Sequence, residues 1–294
     1  MGRLGRLTTP AAGGADTHHG DLPGGGQAHS FHGIFAKLSR LALGEAPGGR
    51  DDAAFADFWQ HYMGHYLADI PVYERLLPRG PSRVLDLSCG AGRIGIALAR
   101  VGAKVDVLVG SDVWLALARA NVAKEAAPVR ERLQLHRGQT DAFSLGLQYD
   151  LIVLGGTSLN LTRDEAQRLA MLRRIGAHLL PDGKFIFDIM DLSAGLSSKH
   201  KNWHDVWHCG GGDGRDFAIV GQQFMPEQKR VVFNFYRESI AAGGDTVRSM
   251  GSRSRAWLEP EELLGTMHEG GLHLLNEFGQ GEVRYFVAAL ATPA

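Results

Sequence analysis

The stretch of sequence that decides the fold is VLDLSCGAGRIG, from Val84 to Gly95. Its first half is an apolar run that ends near Asp86, which predicts a short buried strand. Glycines follow at Gly90 and Gly92, where the missing Cβ lets the backbone approach a ligand closely. An apolar helical pattern begins directly after them. The stretch therefore predicts a strand, a tight ligand-binding turn and the start of a helix.

Outward from this stretch, strand-like apolar runs alternate with helical patterns. The strand-like runs are residues 83–87, 104–109, 133–136, 149–154 and 184–189, and the helical patterns are residues 94–101, 112–126 and 164–180. Strands joined by helical crossovers form a parallel sheet with helices on both faces. The predicted fold class is therefore α/β, with a doubly wound, mostly parallel, Rossmann-like sheet.

The flanking sequences divide the chain into four predicted parts. Residues 1–30 hold almost no large apolar side chain and are expected to be a disordered tail. Residues 31–80 are expected to form an N-terminal helical cap, and residues 81–192 the Rossmann-like core. Residues 193–294 are expected to add an antiparallel β extension and the last core strands. The patterns in these flanks are helices at 31–43, 51–66 and 261–269 and strands at 217–225, 229–240, 247–257, 272–278 and 283–290.

The overall charge argues against a polyanionic partner. The 294 residues include 31 Lys and Arg against 32 Asp and Glu, which gives a formal net charge of -1. Such a chain has no bulk positive field to hold nucleic acid or an anionic membrane. No nucleic-acid or membrane partner is expected, and the chain is expected to be a monomer or a homodimer.

Cysteine usage and hydropathy favour a cytoplasmic protein. Only Cys89 and Cys209 occur, which is no disulfide framework and suits a reducing compartment. No apolar run approaches the roughly 20 residues that a membrane helix needs. Arg3 and Arg6 are not followed by an apolar stretch, so no secretory signal is indicated.

The glycine turn has two interpretations. Gly90, Gly92 and Gly95 satisfy the GxGxxG pattern of dinucleotide-binding folds, and Asp112 lies near where a ribose-binding acid could sit. This pattern makes an NAD-dependent oxidoreductase one alternative. A dinucleotide fold, however, runs its strand straight into the first glycine, whereas here Asp86 ends the strand four residues earlier.

An acid followed by three residues and Gly-x-Gly resembles motif I of the class I S-adenosylmethionine (SAM) dependent methyltransferases. In that family the loop wraps the methionyl part of SAM, and the strand-end acid organises the loop. The resemblance gives Asp86 the organising role and implies that Ser88, Gly90 and Gly92 lie at the cofactor. Leu154 ends a segment similar to the family's fourth strand, whose end faces the methyl donor. The resemblance therefore implies SAM as the cofactor.

The resemblance continues beyond the glycine turn. Residues 172–185 are similar to the family's helix, Pro-x-Gly turn and fifth strand. Residues 255–263 look like a late element of small-molecule members, including the amino-sugar N-methyltransferases of natural-product pathways. These segments follow one another in the family's order, which the oxidoreductase alternative does not explain.

Two positions depart from the family pattern. Ser88 stands where the family usually has a third glycine. Val109 falls at the strand-end position whose acid normally binds both ribose hydroxyls of SAM, and a valine cannot accept those hydrogen bonds. We expect Asp112 to reach back over the Gly110-Ser111 turn and bind the ribose. One alternative is that SAM binding is weaker than is usual in the family, and another is that Asp112 only caps the following helix.

A polar segment follows the third predicted strand. Gln139, Thr140 and Asp141 occupy the place where the family has an adenine-facing polar residue. The resemblance implies that these three residues bind the cofactor. The alternative is an ordinary polar turn.

The candidate catalytic residues on the acceptor side come from two segments. Tyr62 and Tyr66 belong to an aromatic helix that is expected to lie over the SAM pocket as a lid. The alternative is an amphipathic helix that packs on the sheet. His204 belongs to residues 199–209, which are expected to form a loop at the pocket mouth.

The same loop has the residue types of a metal site. His204 and His208 are four residues apart, and with Asp205 and Cys209 nearby they are possible ligands of a metal such as zinc. Glycines follow at once and a fourth ligand with clear spacing is missing, so no metal is expected.

The sequence therefore predicts SAM-dependent methyl transfer to a small molecule or peptide natural product, and the family analogy favours an amine nitrogen as the acceptor atom. Methyl transfer from a sulfonium is an in-line displacement, so positioning supplies most of the acceleration and no universal catalytic triad is expected. Two alternatives remain. One is a non-catalytic partner subunit with a methyltransferase fold, suggested by Val109 and Ser88, and the other is the NAD-dependent oxidoreductase.

Overall fold

The structure is a computed structural model that describes residues 31–41, 53–64, 66–88, 90–162, 164–190, 202–208, 216–240, 244–280 and 283–291. The predicted N-terminal tail and the predicted helix start at Asp51 lie outside these residues. The described helices are α1 (Ile34–Arg40), α2 (Ala53–Met63), α3 (Ile70–Glu74), α4 (Arg93–Arg100), α5 (Asp112–Ala123), α6 (Ala127–Arg130), α7 (Glu165–His178) and α8 (Pro260–Glu269). The described strands are β1 (Arg83–Asp86), β2 (Lys104–Val109), β3 (Leu133–Arg137), β4 (Tyr149–Leu154), β5 (Leu179–Met190), β6 (Trp203–His208), β7 (Phe217–Met225), β8 (Arg230–Ile240), β9 (Thr246–Ala256), β10 (Leu272–Gln280) and β11 (Val283–Leu290).

Seven strands form the central sheet in the order β10-β11-β5-β4-β1-β2-β3. Neighbours among β1 to β5 are parallel, whereas β11 runs antiparallel to both β5 and β10. The predicted doubly wound, mostly parallel α/β sheet is confirmed. The strand order reverses at β1, which has β4 on one side and β2 on the other. In open α/β sheets, ligands bind outside the carboxyl ends of the strands at such a point.

The central strands form because helices cover both of their faces. Val84 and Leu85 of β1 and Ile152 of β4 are all fully buried, so successive side chains on opposite faces are apolar. Each such side chain contributes about 1.5–3 kcal/mol through burial. The continuous apolar runs of these strands therefore fix the middle of the sheet.

The four strands β6-β7-β8-β9 form a second, antiparallel sheet, and the predicted antiparallel extension is confirmed. Helix α2 packs its aromatic side chains against this sheet. The Phe58 ring lies parallel to that of Phe235 with the centroids 3.9 Å apart, and Phe55 meets the same ring edge-on. Helix α2 is thus anchored on the antiparallel sheet, as one of its two interpretations expected.

Three of the described elements were not predicted: β6, α3 and the four-residue helix α6. Residues 203–208 form a strand, where the sequence analysis expected a loop, because their backbone pairs with β7 from His208↔Phe217 to Trp203↔Gln222. Helix α3 is only five residues long, too short for a helical period to show in the sequence. Among the described helices, none combines the length and the apolar character required to cross a membrane.

Candidate active site

Asp86 holds the glycine turn from beneath. Its side chain is almost fully buried and accepts hydrogen bonds from the backbone N–H groups of Ser88, at 2.8 Å, and Gly95, at 2.7 Å. Burial raises the pKa of Asp86, because loss of water disfavours the charged carboxylate, and the donors oppose this rise. Gly90 and Gly92 have φ values of 144° and 77°, which residues with a Cβ rarely adopt. The turn is thus fixed by one acid and two glycines.

Ser88 connects this turn to the turn after β4. Its hydroxyl oxygen accepts a hydrogen bond from the backbone N–H of Gly155 at 2.8 Å. A glycine at position 88, as the family usually has, could not make this bond. Gly155 also lies against Tyr73, so closely that an added Cβ would be 2.3 Å from the tyrosine hydroxyl oxygen. The serine that replaces the family's usual glycine at position 88 therefore joins the glycine turn to the turn after β4.

A cavity, here called the first cavity, opens at the carboxyl ends of β1, β2 and β4. Its apolar lining is Leu87, Leu108, Val109, Trp114, Leu154 and Met171. Its polar side chains are Ser88, Gln139, Thr140, Ser158 and Thr162, and Gly90 and Gly110 present backbone. The structure therefore brings together Ser88, Gly90, Gln139, Thr140 and Leu154 of the predicted cofactor-binding residues. Asp86 and Gly92 support the turn behind the lining, and Asp141 is not part of the lining.

The structure does not bring Asp112 to the first cavity. Helix α5 begins at Asp112 and turns its side chain outwards, where it is 90% exposed and accepts a hydrogen bond from Arg137 Nε at 3.1 Å. The helix cap is Ser111, whose Oγ accepts from the backbone N–H of Trp114, so the alternative role of Asp112 as the cap is not realised either. Val109, buried at the end of β2, lines the cavity instead.

A further cavity, here called the second cavity, lies among α2, the antiparallel sheet and the end of β5. Its aromatic lining is Trp59, Tyr62, Tyr66, Trp203, Phe233 and Tyr285, and its charged lining is Asp69, Arg93, Asp188 and Arg255. The two predicted catalytic tyrosines, Tyr62 and Tyr66, therefore share one cavity. Burial raises the pKa of Tyr62, and the nearby positive charge of Arg255 opposes that rise.

A hydrogen-bonded network that the sequence analysis missed lies beneath the second cavity. Asp188, near the end of β5, accepts a hydrogen bond from the Tyr73 hydroxyl at 2.6 Å. The same hydroxyl lies 3.5 Å from Asp69, which accepts hydrogen bonds from both Nη atoms of Arg93 at 2.6 Å. Asp188 is an acid within the buried apolar run of β5, between Phe187 and Ile189, and an acid in such a run is the signal that could have found it.

Asp188 also fixes the turn after β4. Its carboxylate accepts hydrogen bonds from the backbone N–H groups of Gly156, at 3.1 Å, and Thr157. Thr157 has a φ of 55°, an uncommon conformation for a residue with a branched Cβ, and these bonds hold it there. Burial raises the pKa of Asp188 to about 6, although its three donors favour the charged form.

The structure places His204 apart from the two tyrosines. Successive side chains of a strand point to opposite faces. Trp203 borders both the second cavity and a separate groove beside Phe35 of α1, whereas His204 borders that groove and not the second cavity. Within the described part of the chain, no three His, Cys, Asp or Glu side chains are grouped as a metal site requires. Cys209 and the side chain of His208, two of the other possible metal ligands, lie outside that part.

Comparison with known proteins agrees with this geometry. Residues 84–183 match a family model described as a methyltransferase domain. A putative methyltransferase of Geobacillus sp. (strain WCH70) is 29% identical over 161 residues, which cover 52% of this chain and 61% of that protein. A cypemycin N-terminal methyltransferase of Streptomyces sp. is 27% identical over 114 residues, which cover 37% of this chain and 42% of that protein. The chain thus matches about three fifths or less of the length of these relatives.

The fold likeness extends over nearly the whole chain. The structure of the sugar N-methyltransferase KedS8 from Streptoalloteichus sp. ATCC 53650 superimposes with a TM-score of 0.60, covering 97% of this chain and 100% of KedS8 at 18% identity. The chain therefore carries a methyltransferase domain, and the elements around that domain complete the fold of the SAM-dependent methyltransferases.

Proposed function

We propose that this chain transfers a methyl group from SAM to an amine nitrogen of a small molecule or peptide. The observation that carries the proposal is the glycine turn, which Asp86 holds at the carboxyl end of β1, where it borders the first cavity. The relatives support the choice of nitrogen, since one is named for an N-terminal and another for a sugar N-methylation.

Most of the first cavity fits SAM. The backbone at Gly90 would hold the methionyl part, because no Cβ obstructs a close approach there. Gln139 and Thr140 offer polar groups for adenine, and Trp114 and Leu108 offer apolar surface to its faces. The ribose end fits less well, because Val109 stands where a hydrogen-bond acceptor is needed.

The chain's own contribution is to hold the reactants in position and to exclude water. SAM, when bound, supplies an electrophilic methyl carbon on a positively charged sulfur. Tyr62, Tyr66 and Phe233 form part of an aromatic wall that keeps water from the acceptor. The carboxylate of Asp188 already accepts three hydrogen bonds, so its role is to hold the turn at Gly156 and Thr157 in place.

The test is calorimetric titration of the purified chain with S-adenosylhomocysteine (SAH), with NADH as the parallel ligand. We expect SAH to bind one-to-one in the micromolar range and NADH not to bind. The reason is that Asp86, four residues before the first glycine, holds the turn of the first cavity, an arrangement typical of methyltransferases and not of dinucleotide-binding folds. Failure of SAH to bind, with a stable complex formed with another chain, would establish the non-catalytic partner. Binding of NADH alone would establish the oxidoreductase.

The position of Val109 leads to a gain-of-function prediction. We expect Val109→Asp to tighten SAH binding about tenfold, because a carboxylate there can accept both ribose hydroxyl hydrogen bonds, while burial of that carboxylate in place of a valine cancels part of the gain. Titration of both proteins with SAH checks this. Val109→Asn is the matched control and should give a smaller gain, since its amide is neutral. Weaker binding by Val109→Asp at unchanged melting temperature would contradict the assignment of the ribose end.

A further inference from the structure

Tyr285 carries a buried hydroxyl group that the proposed function does not use. The residue lies on β11, is 2% exposed and lines the second cavity. Its hydroxyl makes no hydrogen bond with any residue that the structure describes. Buried hydroxyl groups normally have a hydrogen-bond partner, because a group without one has lost its contact with water and gained nothing in return. The hydroxyl of Tyr285 is therefore available to a ligand of the second cavity.

The polar groups beside Tyr285 are, in contrast, committed to one another. Asp188 lies directly opposite Tyr285 in the pairing of β11 with β5, so the two side chains share one face of the sheet. The carboxylate of Asp188 accepts hydrogen bonds from the Tyr73 hydroxyl and from two backbone N–H groups of the turn after β4. Tyr285 makes no hydrogen bond to this network. A ligand that reaches this part of the cavity therefore meets an available hydroxyl next to a carboxylate.

Two neighbouring rings hold the Tyr285 ring in place. The Phe278 ring lies nearly parallel to it, with an interplanar angle of 11° and the centroids 5.2 Å apart. The Tyr73 ring meets it edge-on at 6.3 Å. A side chain that is already fixed loses less conformational entropy when a ligand binds. The hydroxyl oxygen of Tyr285 is therefore held in position before a ligand arrives.

The charges around Tyr285 favour a hydrogen-bond donor on the ligand. Burial raises the pKa of Tyr285, the negative charges of Asp188 and Asp69 raise it further, and the positive charge of Arg93 opposes them. The phenol therefore stays neutral, and its oxygen can accept a hydrogen bond. The carboxylate of Asp188 next to it repels an oxyanion and attracts the positive hydrogen of an N–H group. An amine suits this position better than a carboxylate or a phosphate.

We propose that the Tyr285 hydroxyl accepts a hydrogen bond from the amine of the methyl acceptor and so positions its nitrogen in the second cavity. This inference rests on the proposed function for the identity of the acceptor. The same lining contains Gly156 and Thr157, in the turn that Ser88 connects to the first cavity. The body of the acceptor then lies on the aromatic wall. The substrate class is a primary or secondary amine, because a tertiary amine has no N–H to donate.

The experiment compares aniline, which donates N–H hydrogen bonds, with toluene, its isostere that donates none. The dissociation constants of both probes are measured by nuclear magnetic resonance titration of the wild-type chain and of Tyr285→Phe, which removes only the hydroxyl. We expect the ratio of the toluene to the aniline dissociation constant to fall about fivefold in the variant, since one neutral hydrogen bond is lost. An unchanged ratio in the folded variant overturns the proposal, and so does a wild type that binds neither probe.

A third probe, N,N-dimethylaniline, tests which partner donates the hydrogen bond. This probe has no N–H, so its affinity should be the same for the wild type and for Tyr285→Phe. If the variant weakened its binding as much as that of aniline, the hydroxyl would be the donor. That result would overturn the assignment of a primary or secondary amine.

Tyr236→Phe is the matched control. Tyr236 is 4% exposed, lies on β8 outside the lining of the second cavity, and donates a hydrogen bond from its hydroxyl to Glu238 at 2.7 Å. This variant should lower the melting temperature by roughly 2–4 °C and leave the probe ratio unchanged. Tyr285→Phe should instead change the ratio at an unchanged melting temperature. An equal fall in melting temperature in both variants would show that the Tyr285 hydroxyl has a partner in the folded chain, and would overturn the proposal.

Titration of the same proteins with SAH separates this inference from the proposed function. If SAH does not bind while the probe ratio responds to Tyr285→Phe, the proposed function fails and the amine-binding role of Tyr285 stands. If SAH binds and the ratio does not respond, only the role of Tyr285 fails.

Discussion

Replacing Asp86 with Asn is expected to weaken SAH binding by at least about a hundredfold. In the variant, an amide NH2 replaces one oxygen and faces the backbone N–H of Ser88 or Gly95, so one hydrogen bond is lost and a buried donor is left without an acceptor. Such a defect costs about 1–3 kcal/mol, and more for a charged group. The glycine turn would no longer be held in the shape that presents Gly90 to a ligand. Calorimetric titration of the variant with SAH gives the loss directly.

The matched control for this prediction is Asp106→Asn. Asp106 is also a buried aspartate, on the neighbouring strand β2, and accepts a hydrogen bond from His136 Nε2 at 2.6 Å, but it does not line the first cavity. We expect this variant to lose stability and to retain its SAH affinity. If both variants lost SAH affinity equally, the loss would reflect general destabilisation. An Asp86→Asn variant that bound SAH within threefold of the wild-type affinity would contradict the proposal that Asp86 holds the glycine turn in its ligand-binding shape.

Asp188→Asn is expected to change how the stability of the protein depends on pH. The pKa of Asp188 is raised from 3.8 to about 6, so the folded state binds more protons than the unfolded state between these values. The stability that Asp188 contributes is fully present below pH 3.8, the pKa of its carboxyl group in the unfolded chain, and is lost as the pH rises through about 6, its pKa in the folded protein. The free energy of unfolding of the wild type, relative to the variant, should therefore fall by about 2 kcal/mol between pH 4 and pH 7.

Denaturant unfolding of both proteins at several pH values measures this difference. Other titrating groups are shared by the two proteins, so the difference isolates position 188. Tyr73→Phe supplies an internal check, because it removes one donor to the ionised carboxylate and should move the fall to higher pH. A difference that stayed flat from pH 4 to pH 7 would show that the carboxylate is ionised throughout this range.

The sheet could be predicted from the sequence because its strands are buried. The boundaries of β2, β4, β7 and β11 agree with the predicted ones. In each of these strands the apolar pattern of the sequence ends at the residue where the strand leaves the buried sheet. Strand β6 was missed because its mixture of His, Asp and Trp forms a strand only through its pairing with β7. A short stretch of sequence indicates which residues are buried, but it does not indicate which strands pair with each other.

The first cavity was predicted better than the second. Ser88, Gly90 and Leu154 lie within a few residues of strand ends, so a motif locates them. Asp188 and Tyr73 are 115 residues apart in sequence and are joined only by the way α3 docks under the sheet. The expected role of Asp112 is not found, because Ser111 caps α5 and the Asp112 side chain points away from the end of β2 towards Arg137.

The double engagement of Ser88 predicts that ligand binding in the two cavities is thermodynamically linked. The backbone N–H of Ser88 donates a hydrogen bond to Asp86, and its hydroxyl oxygen accepts one from the N–H of Gly155. If one turn moves, either the hydrogen bond between Ser88 and Gly155 lengthens or the other turn moves with it. A ligand that alters the affinity of the other cavity through this bond is itself bound more or less tightly by the same factor. We therefore expect occupancy of one cavity to change the ligand affinity of the other.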